Sequence, residues 1–365
     1  MMRIFSSLFE RQTRSAGLAR SVVVAILASG ALAAAAAATP DEPTRKPLEV
    51  YFIDVEGGQA TLFVTPQKES LLIDTGWPGN NGRDADRIVA AAKMAGLSRI
   101  DYVLLTHYHM DHAGGVPQLL EKIPVGTFID HGPNRQPDEK KTEDVWEAYE
   151  KILAEKKVKR IIAKVGDSLP MDGIRSQVVS SDGEVMATSY RRAGDENPAC
   201  ATTEKRLADQ TENARSLGTM IIFGRARILD LGDLTWDKEL ELVCPINKLG
   251  HVDVFIVSHH GWSQSDSPAL LAAITPRLSI MDNGETKGGS PSTWDIIHST
   301  PKLEDFWQVH YSKEGGAAHN SPEPLIANLL GSDAGNYLKL TVWLDGTLEV
   351  FNSRTQASRH YTAAR

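Results

Sequence analysis

The sequence contains only two cysteines among its 365 residues, Cys200 and Cys244. Two cysteines are too few for a framework of disulfides, so the fold must depend on a packed core. In an oxidising compartment the pair could form one bridge that ties an insertion to the core. The alternative is two separate buried thiols, and the sequence leaves both open.

Positive charge is also scarce, with 39 Lys and Arg against 47 Asp and Glu and a formal net charge of −8. Tracts rich in Lys or Arg are limited to residues 139–141 and 156–160. Because polyanion binding depends largely on phosphate neutralisation, no global footprint for nucleic acid is present, although a local basic groove is not excluded. The sequence has no Gly-x-Ser-x-Gly elbow either, so a serine nucleophile is not indicated.

Long apolar runs occur only near the N-terminus. Four arginines within the first 20 residues precede an apolar stretch at 21–33, and small residues at 33–38 lead to Thr39-Pro40. This order is typical of a secretory signal peptide over residues 1–38, which predicts a periplasmic or secreted protein. A retained membrane anchor is the alternative, but the alanine-rich stretch is weakly hydrophobic, so we expect no stable anchor.

From residue 48 onward, short apolar runs between turn residues predict strands, and apolar residues on one helical face predict helices. The predicted strands are 49–55, 60–65, 70–74, 100–105, 219–223, 227–231, 252–257, 338–343 and 347–351, and the predicted helices are 85–95, 143–157 and 267–274. This order favours an α/β (α+β) class with sheets covered by helices. We expect one domain over residues 48–355, with an insertion near 182–213 that lies over the site.

Four residues with metal-ligating side chains fall within six positions directly after the predicted strand 100–105. They are His107, His109, Asp111 and His112. Residues two apart on an extended chain face the same side, so His107 and His109 should converge on one point. Asp111 and His112 stand at the turn into the next helix and can face a second point. The set suits zinc, and also manganese or iron; a surface His-rich loop is the alternative.

A two-metal site needs further ligands from elsewhere in the chain. Asp233 follows the predicted strand 227–231, and His259 and His260 follow the strand 252–257. Asp233 could bridge two cations, and one of the two histidines could complete the second metal shell. Because adjacent side chains diverge, we expect only one of them to bind that metal, and we favour His259.

These motifs resemble the metallo-β-lactamase superfamily, whose signature is His-x-His-x-Asp-His with later Asp and His ligands. Asp74-Thr75-Gly76 matches the family's Asp-Thr-Gly turn, which implies that Asp74 supports the metal loop. Residues 54–60, 213–216, 232–233 and 259–261 resemble the hydrolase domain of DNA-uptake competence channels, and the similarity runs from about residue 54 to residue 284. The resemblance implies a four-layer αββα sandwich.

The chain departs from the family pattern where many members have a third histidine for the first metal. Residues 212–216 contain no histidine there, so Glu212 or Asn213 could substitute, and His131 could also supply the missing group. An ordinary polar turn is the alternative for His131. Asn213, His131 and Lys287 are our candidates for substrate contacts, and for Lys287 the alternative is a solvated loop lysine.

Two divalent metal ions, with zinc favoured, would lower the pKa of a shared water from about 15.7 towards 7 and so supply hydroxide at neutral pH. Asp111 would orient that hydroxide, and Asp233 would hold the two metals. We therefore predict an exported hydrolase of an ester, lactone, lactam or phosphoester. The alternatives are a nuclease or phosphodiesterase of the competence type, with nucleic acid less favoured as a partner, an iron-dependent redox enzyme, and a non-catalytic module.

Overall fold

The computed structural model describes residues 46–190 and 193–364, so the predicted signal peptide lies outside the described residues. Within this part of the chain, no helix combines the length and the apolar composition needed to cross a bilayer. The strands are β1 (Leu48–Phe52), β2 (Thr61–Val64), β3 (Ser70–Ile73), β4 (Ile100–Leu104), β5 (Val125–Asp130), β6 (Lys159–Ile162), β7 (Arg175–Ser181), β8 (Glu184–Val185), β9 (Gly218–Phe223), β10 (Ala226–Asp230), β11 (Val254–Ile256), β12 (Leu278–Met281), β13 (Asp305–His310), β14 (Ile326–Asn328), β15 (Leu338–Val342), β16 (Leu348–Asn352) and β17 (Ala357–Tyr361). The α-helices are α1 (Arg83–Met94), α2 (Met110–Ala113), α3 (Val116–Lys122), α4 (Lys140–Lys156), α5 (Trp236–Val243), α6 (Pro268–Ile274) and α7 (Pro291–His298).

The strands form two mixed sheets. The first has the order β17-β16-β15-β1-β2-β3-β4-β5-β6, and the second has the order β14-β13-β12-β11-β10-β9-β7-β8. Strands β3 to β6 run parallel, as do β10 to β14. Because parallel neighbours need crossover connections, helices separate most of these strands in the sequence. The carboxyl ends of β3, β4, β10, β11 and β12 carry the loops described below.

Strand periodicity divides the apolar side chains between two faces and so builds the layers. Val50 and Phe52 of β1 pack between the sheets, with partners from the second sheet such as Ile228. Tyr51 lies on the opposite face with residues of α1 and α4. A third cluster joins the outer face of the second sheet to α5 and α6. Successive strand residues face opposite sides, so this alternation produces the four-layer αββα sandwich and confirms the predicted fold class.

The predicted strands and helices are present, with their ends shifted by a few residues. The helix predicted at 143–157 begins earlier, at Lys140, because the Glu139 carboxylate accepts the Thr142 N–H as an N-cap. Beyond residue 355, where the predicted domain ends, β17 pairs along its length with β16. Its solvent-facing residues obscure its pattern in the sequence.

The segment 182–213 is fastened to the helical layer of the second sheet. Cys200 forms a disulfide with Cys244, at the end of α5, so the first of the two cysteine alternatives is observed. The Arg206 guanidinium lies 3.5 Å from the ring centroid of Trp236. A 3-10 turn at Glu212–Arg215 ends the segment and brings it to the carboxyl ends of the strands.

Candidate metal centre

Four buried side chains from three separate loops meet at the carboxyl ends of β4, β10 and β11. Asp111, His112, Asp233 and His260 each offer a ligand atom, and these atoms all lie within 4.8 Å of one another. His112 Nε2 is 3.1 Å from His260 Nε2 and 3.2 Å from Asp233 Oδ2, and His260 Nε2 is 3.1 Å from Asp111 Oδ2. We call this set the four-ligand group.

Hydrogen bonds at the far side of each ring determine which nitrogen carries the proton. The carbonyl oxygen of Asp282 only accepts, so His260 Nδ1, at 3.0 Å, must donate to it. His112 Nδ1 likewise donates to Asp74 Oδ2 at 2.7 Å. In the neutral rings both Nε2 atoms therefore carry lone pairs, and these lone pairs face each other and two carboxylates. Such an arrangement is repulsive without a positive charge between the rings, and it fits a divalent cation.

The charge balance of the group supports the same conclusion. Burial raises the pKa of Asp233 and Asp111, but nearby histidines and, for Asp111, Lys287 have the larger combined effect, so both pKa values lie well below the usual range. Burial lowers the pKa of His112, yet the surrounding carboxylates raise it well above its usual value. Asp233 Oδ1 is buried and has no hydrogen-bond partner among the described residues. The group thus attracts and holds positive charge.

His107 and His109 form an adjacent pair in which, again, one nitrogen of each ring is hydrogen-bonded and the other keeps its lone pair. Thr106 Oγ1 donates to Asp74 Oδ2 at 2.6 Å and so accepts from His107 Nδ1 at 3.0 Å. Gln136 Oε1 accepts the Glu212 N–H and lies 3.4 Å from His109 Nε2. The remaining nitrogens, His107 Nε2 and His109 Nδ1, are left bare and lie 3.1 Å apart.

Asp233 connects this pair to the four-ligand group. Its Oδ2 atom lies 3.8 Å from His107 Nε2 and 3.2 Å from His112 Nε2. A carboxylate in that position could contact two cations at once, one on each side. The geometry therefore offers two neighbouring places for metal ions.

The structure brings His260, and not the favoured His259, into the four-ligand group. His260 joins Asp111 and His112, whereas His259 Nε2 lies 3.5 Å from Asp233 Oδ2 and 3.4 Å from Asn213 Nδ2. Both histidines adopt left-handed backbone angles, with φ of 51° and 55°, and this tight turn sends the two rings in different directions. Asn213, from the stretch 212–216 that lacks the histidine common in the family, thus lies beside His259 and near Asp233.

His131 takes no part in either group and is too buried to meet a substrate. Its Nε2 atom is 3.0 Å from Glu212 Oε2, and its side chain is fully buried against Tyr108. Glu212 also accepts the backbone N–H of Tyr108 and of Arg135. The pair links the loops around the site, and neither Glu212 nor His131 joins the ligand groups in this structure.

Lys287 lies beside the four-ligand group, at the partly exposed side of the site, and the substrate contact expected for it stays a prediction. Its ammonium contacts the Asp111 carboxylate and lies 5.1 Å and 5.2 Å from the ring centroids of Trp77 and Trp262. Trp77, Trp262 and Lys287 are each partly exposed, so the site reaches the surface on this side. Trp77 was missed in the sequence, although its position directly after Asp74-Thr75-Gly76 was an available signal.

A further group of Asp54, Glu56 and His310 also satisfies the spacing for a metal ion. Arg87 Nη1 lies 3.0 Å from Asp54 Oδ2, and His310 Nε2 lies 2.7 Å from Asp54 Oδ1. The Arg87 guanidinium already compensates the negative charge of Asp54, so we interpret this group as structural and not as a metal site. It supports the loop in which Gly58 packs against the backbone of Asp111.

Residues 53–174 match the family model of the metallo-beta-lactamase superfamily. Together with the two-sheet fold and the buried His and Asp cluster, this match defines the class: the chain has the metallo-β-lactamase fold and resembles that superfamily. The cluster indicates divalent metal ions.

Two curated bacterial proteins are similar to this chain in sequence. The competence protein ComA of Neisseria gonorrhoeae is 25% identical over 232 residues, which cover 63% of this chain and 26% of that protein. Recombination protein 2 of Haemophilus influenzae is 25% identical over 238 residues, which cover 65% of this chain and 24% of that protein. The match thus spans about a quarter of the length of these relatives.

Among solved structures, CmlA, a diiron β-hydroxylase from Streptomyces venezuelae, is similar with a TM-score of 0.37 and 15% identity. The match covers 72% of this chain and 48% of that one. A similarity of this size says nothing about function.

Proposed function

We propose that this chain is a metal-dependent hydrolase that cleaves an ester, lactone, lactam or phosphoester bond in a small substrate bearing a negative charge. The observation that carries the proposal is the convergence of bare histidine nitrogens and buried carboxylates directly beside the Lys287 ammonium. Ligand atoms and an anion-binding group at one opening suit a substrate with a scissile bond and a nearby negative charge.

Two divalent cations, zinc by preference and manganese or iron otherwise, would lower the pKa of a water molecule to about 7 and polarise the scissile oxygen. The chain's own residues would hold and orient these partners. Asp74 fixes the His112 tautomer, and through Thr106 it also fixes that of His107. Asp111 carries a carboxylate oxygen at the mouth, where it can orient the attacking water. The side chains that face the metal positions are buried, so few water molecules could compete with the substrate there.

Lys287 would select the substrate charge. In the described structure its ammonium pairs with Asp111 between two tryptophan rings. A cation on Asp111 would compensate that carboxylate, and the ammonium could then pair with a substrate anion. Trp77 and Trp262 would shield the ion pair from water and so strengthen it. Because this contact forms with bound substrate, its loss should raise KM more than it lowers kcat.

The test is hydrolysis by zinc-loaded and manganese-loaded protein of a chromogenic phosphodiester, a lactone and a lactam, with neutral and anionic members of each class. Asp111→Asn should abolish turnover while the protein stays folded by circular dichroism. Lys287→Met should raise KM for the anionic members only, and the control Lys313→Met, whose lysine pairs with Glu285, should not. Absence of turnover for every class with every metal would contradict the proposal.

The same assays separate the alternatives. Cleavage of DNA or RNA that collapses with added salt would replace the small-substrate proposal by a nuclease of the competence type. Stoichiometric iron in aerobically purified protein, with oxygen consumption, would favour a redox enzyme instead.

We also propose export to the periplasm or beyond, supported by the bridge between Cys200 and Cys244, because disulfides persist in oxidising compartments. Cell fractionation tests this location.

A further inference from the structure

A cavity of about 690 Å³ opens at the end of the second sheet opposite the metal centre. Its lining comes from the amino ends of strands and from the turns that join them, including Arg175 at the start of β7 and Arg227 in β10. The metal ligands follow the carboxyl ends of β10 and β11. We call this space the basal cavity. It shares no lining residue with the metal centre. Its charged side chains are mostly positive, whereas the four-ligand group contains two carboxylates.

Basic side chains dominate the lining of the basal cavity. Two acidic residues, Asp253 and Asp345, also line it, as does His251. The basic residues are Arg175, Arg225, Arg227, Arg277 and Lys302. The whole chain has a net charge of −8, so five cations at one cavity are a local reversal of the overall charge.

Within the described part of the chain, most of these cations have no carboxylate partner. Arg277 pairs with Glu304 at 2.6 Å and with Asp253 at 3.5 Å. Among residues 46–190 and 193–364, no carboxylate lies within 4.0 Å of the basic groups of Arg175, Arg227 or Lys302. Neighbouring like charges repel one another, so a cluster whose positive charges are only partly compensated by carboxylates favours a bound anion.

Arg227 is the most constrained member of the cluster. One of its terminal nitrogens, Nη2, donates to the Leu249 carbonyl at 2.6 Å, and its guanidinium lies 5.1 Å from the ring centroid of Tyr190. Its Nε and the Tyr190 hydroxyl are buried without a hydrogen-bond partner among the described residues. Burial lowers the pKa of Arg227, Tyr190 and Asp253 offset part of that effect, and Arg175 adds a smaller lowering. Buried polar groups in proteins normally have a hydrogen-bond partner, so these two atoms are available to bind a ligand.

The lining determines which ligand would fit. Guanidinium groups match the geometry of phosphate oxygens and bind them through paired hydrogen bonds. His251 adds an imidazole, since its Nδ1 atom is held by Thr275 Oγ1 at 2.6 Å and its other ring nitrogen is left for a ligand. A cavity of about 690 Å³ lies within the usual range for small molecules. We propose that the basal cavity binds a small molecule with more than one phosphate group.

The experiment is calorimetric titration of the full metal-loaded protein with inorganic pyrophosphate at constant ionic strength. Saturable binding of one pyrophosphate per chain is expected. Arg175→Gln and Lys302→Gln should each weaken it by about tenfold, the effect of losing one charge-assisted contact. The control Lys159→Gln removes an exposed lysine from β6 in the other sheet and should leave the affinity unchanged.

A second control distinguishes the basal cavity from the metal centre, which could also attract pyrophosphate. His112→Ala should retain the binding, because His112 lies at the opposite end of the strands. Three results would overturn the proposal: no saturable binding, equal affinity in the Arg175, Lys302 and Lys159 variants, or binding lost in His112→Ala. Binding to vesicles of anionic lipid without binding to pyrophosphate would also overturn it, in favour of a membrane surface.

Discussion

Replacement of Asp74 by Asn should weaken metal binding although Asp74 is not itself in the four-ligand group. Its carboxylate accepts the Thr106 N–H at 2.8 Å, the Thr106 hydroxyl at 2.6 Å and His112 Nδ1 at 2.7 Å. An Asn amide that accepts the Thr106 N–H would direct its NH₂ group at the other two donors. His112 would then move its proton to Nε2, the atom that should face the metal. Asn tolerates the positive φ of 60° at this position, so folding should survive.

Loss of an outer partner of this kind typically costs 10–100-fold in metal affinity, or roughly 1.4–2.8 kcal/mol. The measurement is zinc titration against a competing chromophoric chelator. Asp101→Asn is a matched control, because Asp101 accepts the backbone N–H and hydroxyl of Ser70 in the same sheet, both at 3.0 Å. Equal zinc affinity in the wild type and Asp74→Asn, or equal losses in both variants, would refute the reasoning.

Three further predictions concern stability and loop packing. Reduction of the disulfide, which joins residues 44 positions apart, should destabilise the fold by about 2–4 kcal/mol, seen as a lower denaturation midpoint in reductant; an unchanged midpoint would contradict this. Burial raises the pKa of Glu239 to about 7, so the folded state binds the Glu239 proton more tightly than the unfolded state does. The contribution of this proton to the free energy of unfolding is therefore complete below pH 4.5 and is lost as pH rises towards 7. Unfolding titrations should therefore show the wild type losing stability relative to Glu239→Gln over that window, whereas Glu241→Gln, at an exposed neighbour, should follow the wild type. Gly58→Ala should lower zinc affinity, because a Cβ there would lie 2.3 Å from the Asp111 carbonyl oxygen, and retention of full affinity would argue against this packing.

The sequence was sufficient for those parts of the site that depend on local geometry. His107, His109, Asp111 and His112 follow one strand within six positions, so strand periodicity and the next helix start determine where they point. Asp233 was found because a carboxylate just past an apolar strand lies at the carboxyl end of that strand, as the motif lies at the carboxyl end of β4 in the facing sheet. These inferences need only the direction of a strand and the place where it ends.

Other features depend on contacts that spacing does not encode. The choice between His259 and His260 depends on two consecutive left-handed residues, a conformation that side-chain patterns do not reveal. His131 pairs with Glu212 across 81 positions, so its removal from the site could not be anticipated. The basal cavity draws its cations from strand starts and turns between residues 175 and 302, where each arginine by itself resembles an ordinary surface residue.

The place of β1 in the first sheet has a consequence for synthesis of the chain. One edge of β1 pairs with β2, but the other pairs with β15, from Leu48 opposite Val342 to Phe52 opposite Leu338. While a ribosome is still translating the middle of the chain, that second edge has no partner, and Leu48 and Phe52 lack the covering strand. A nascent or truncated chain that stops before residue 338 would therefore present an open, apolar strand to other chains.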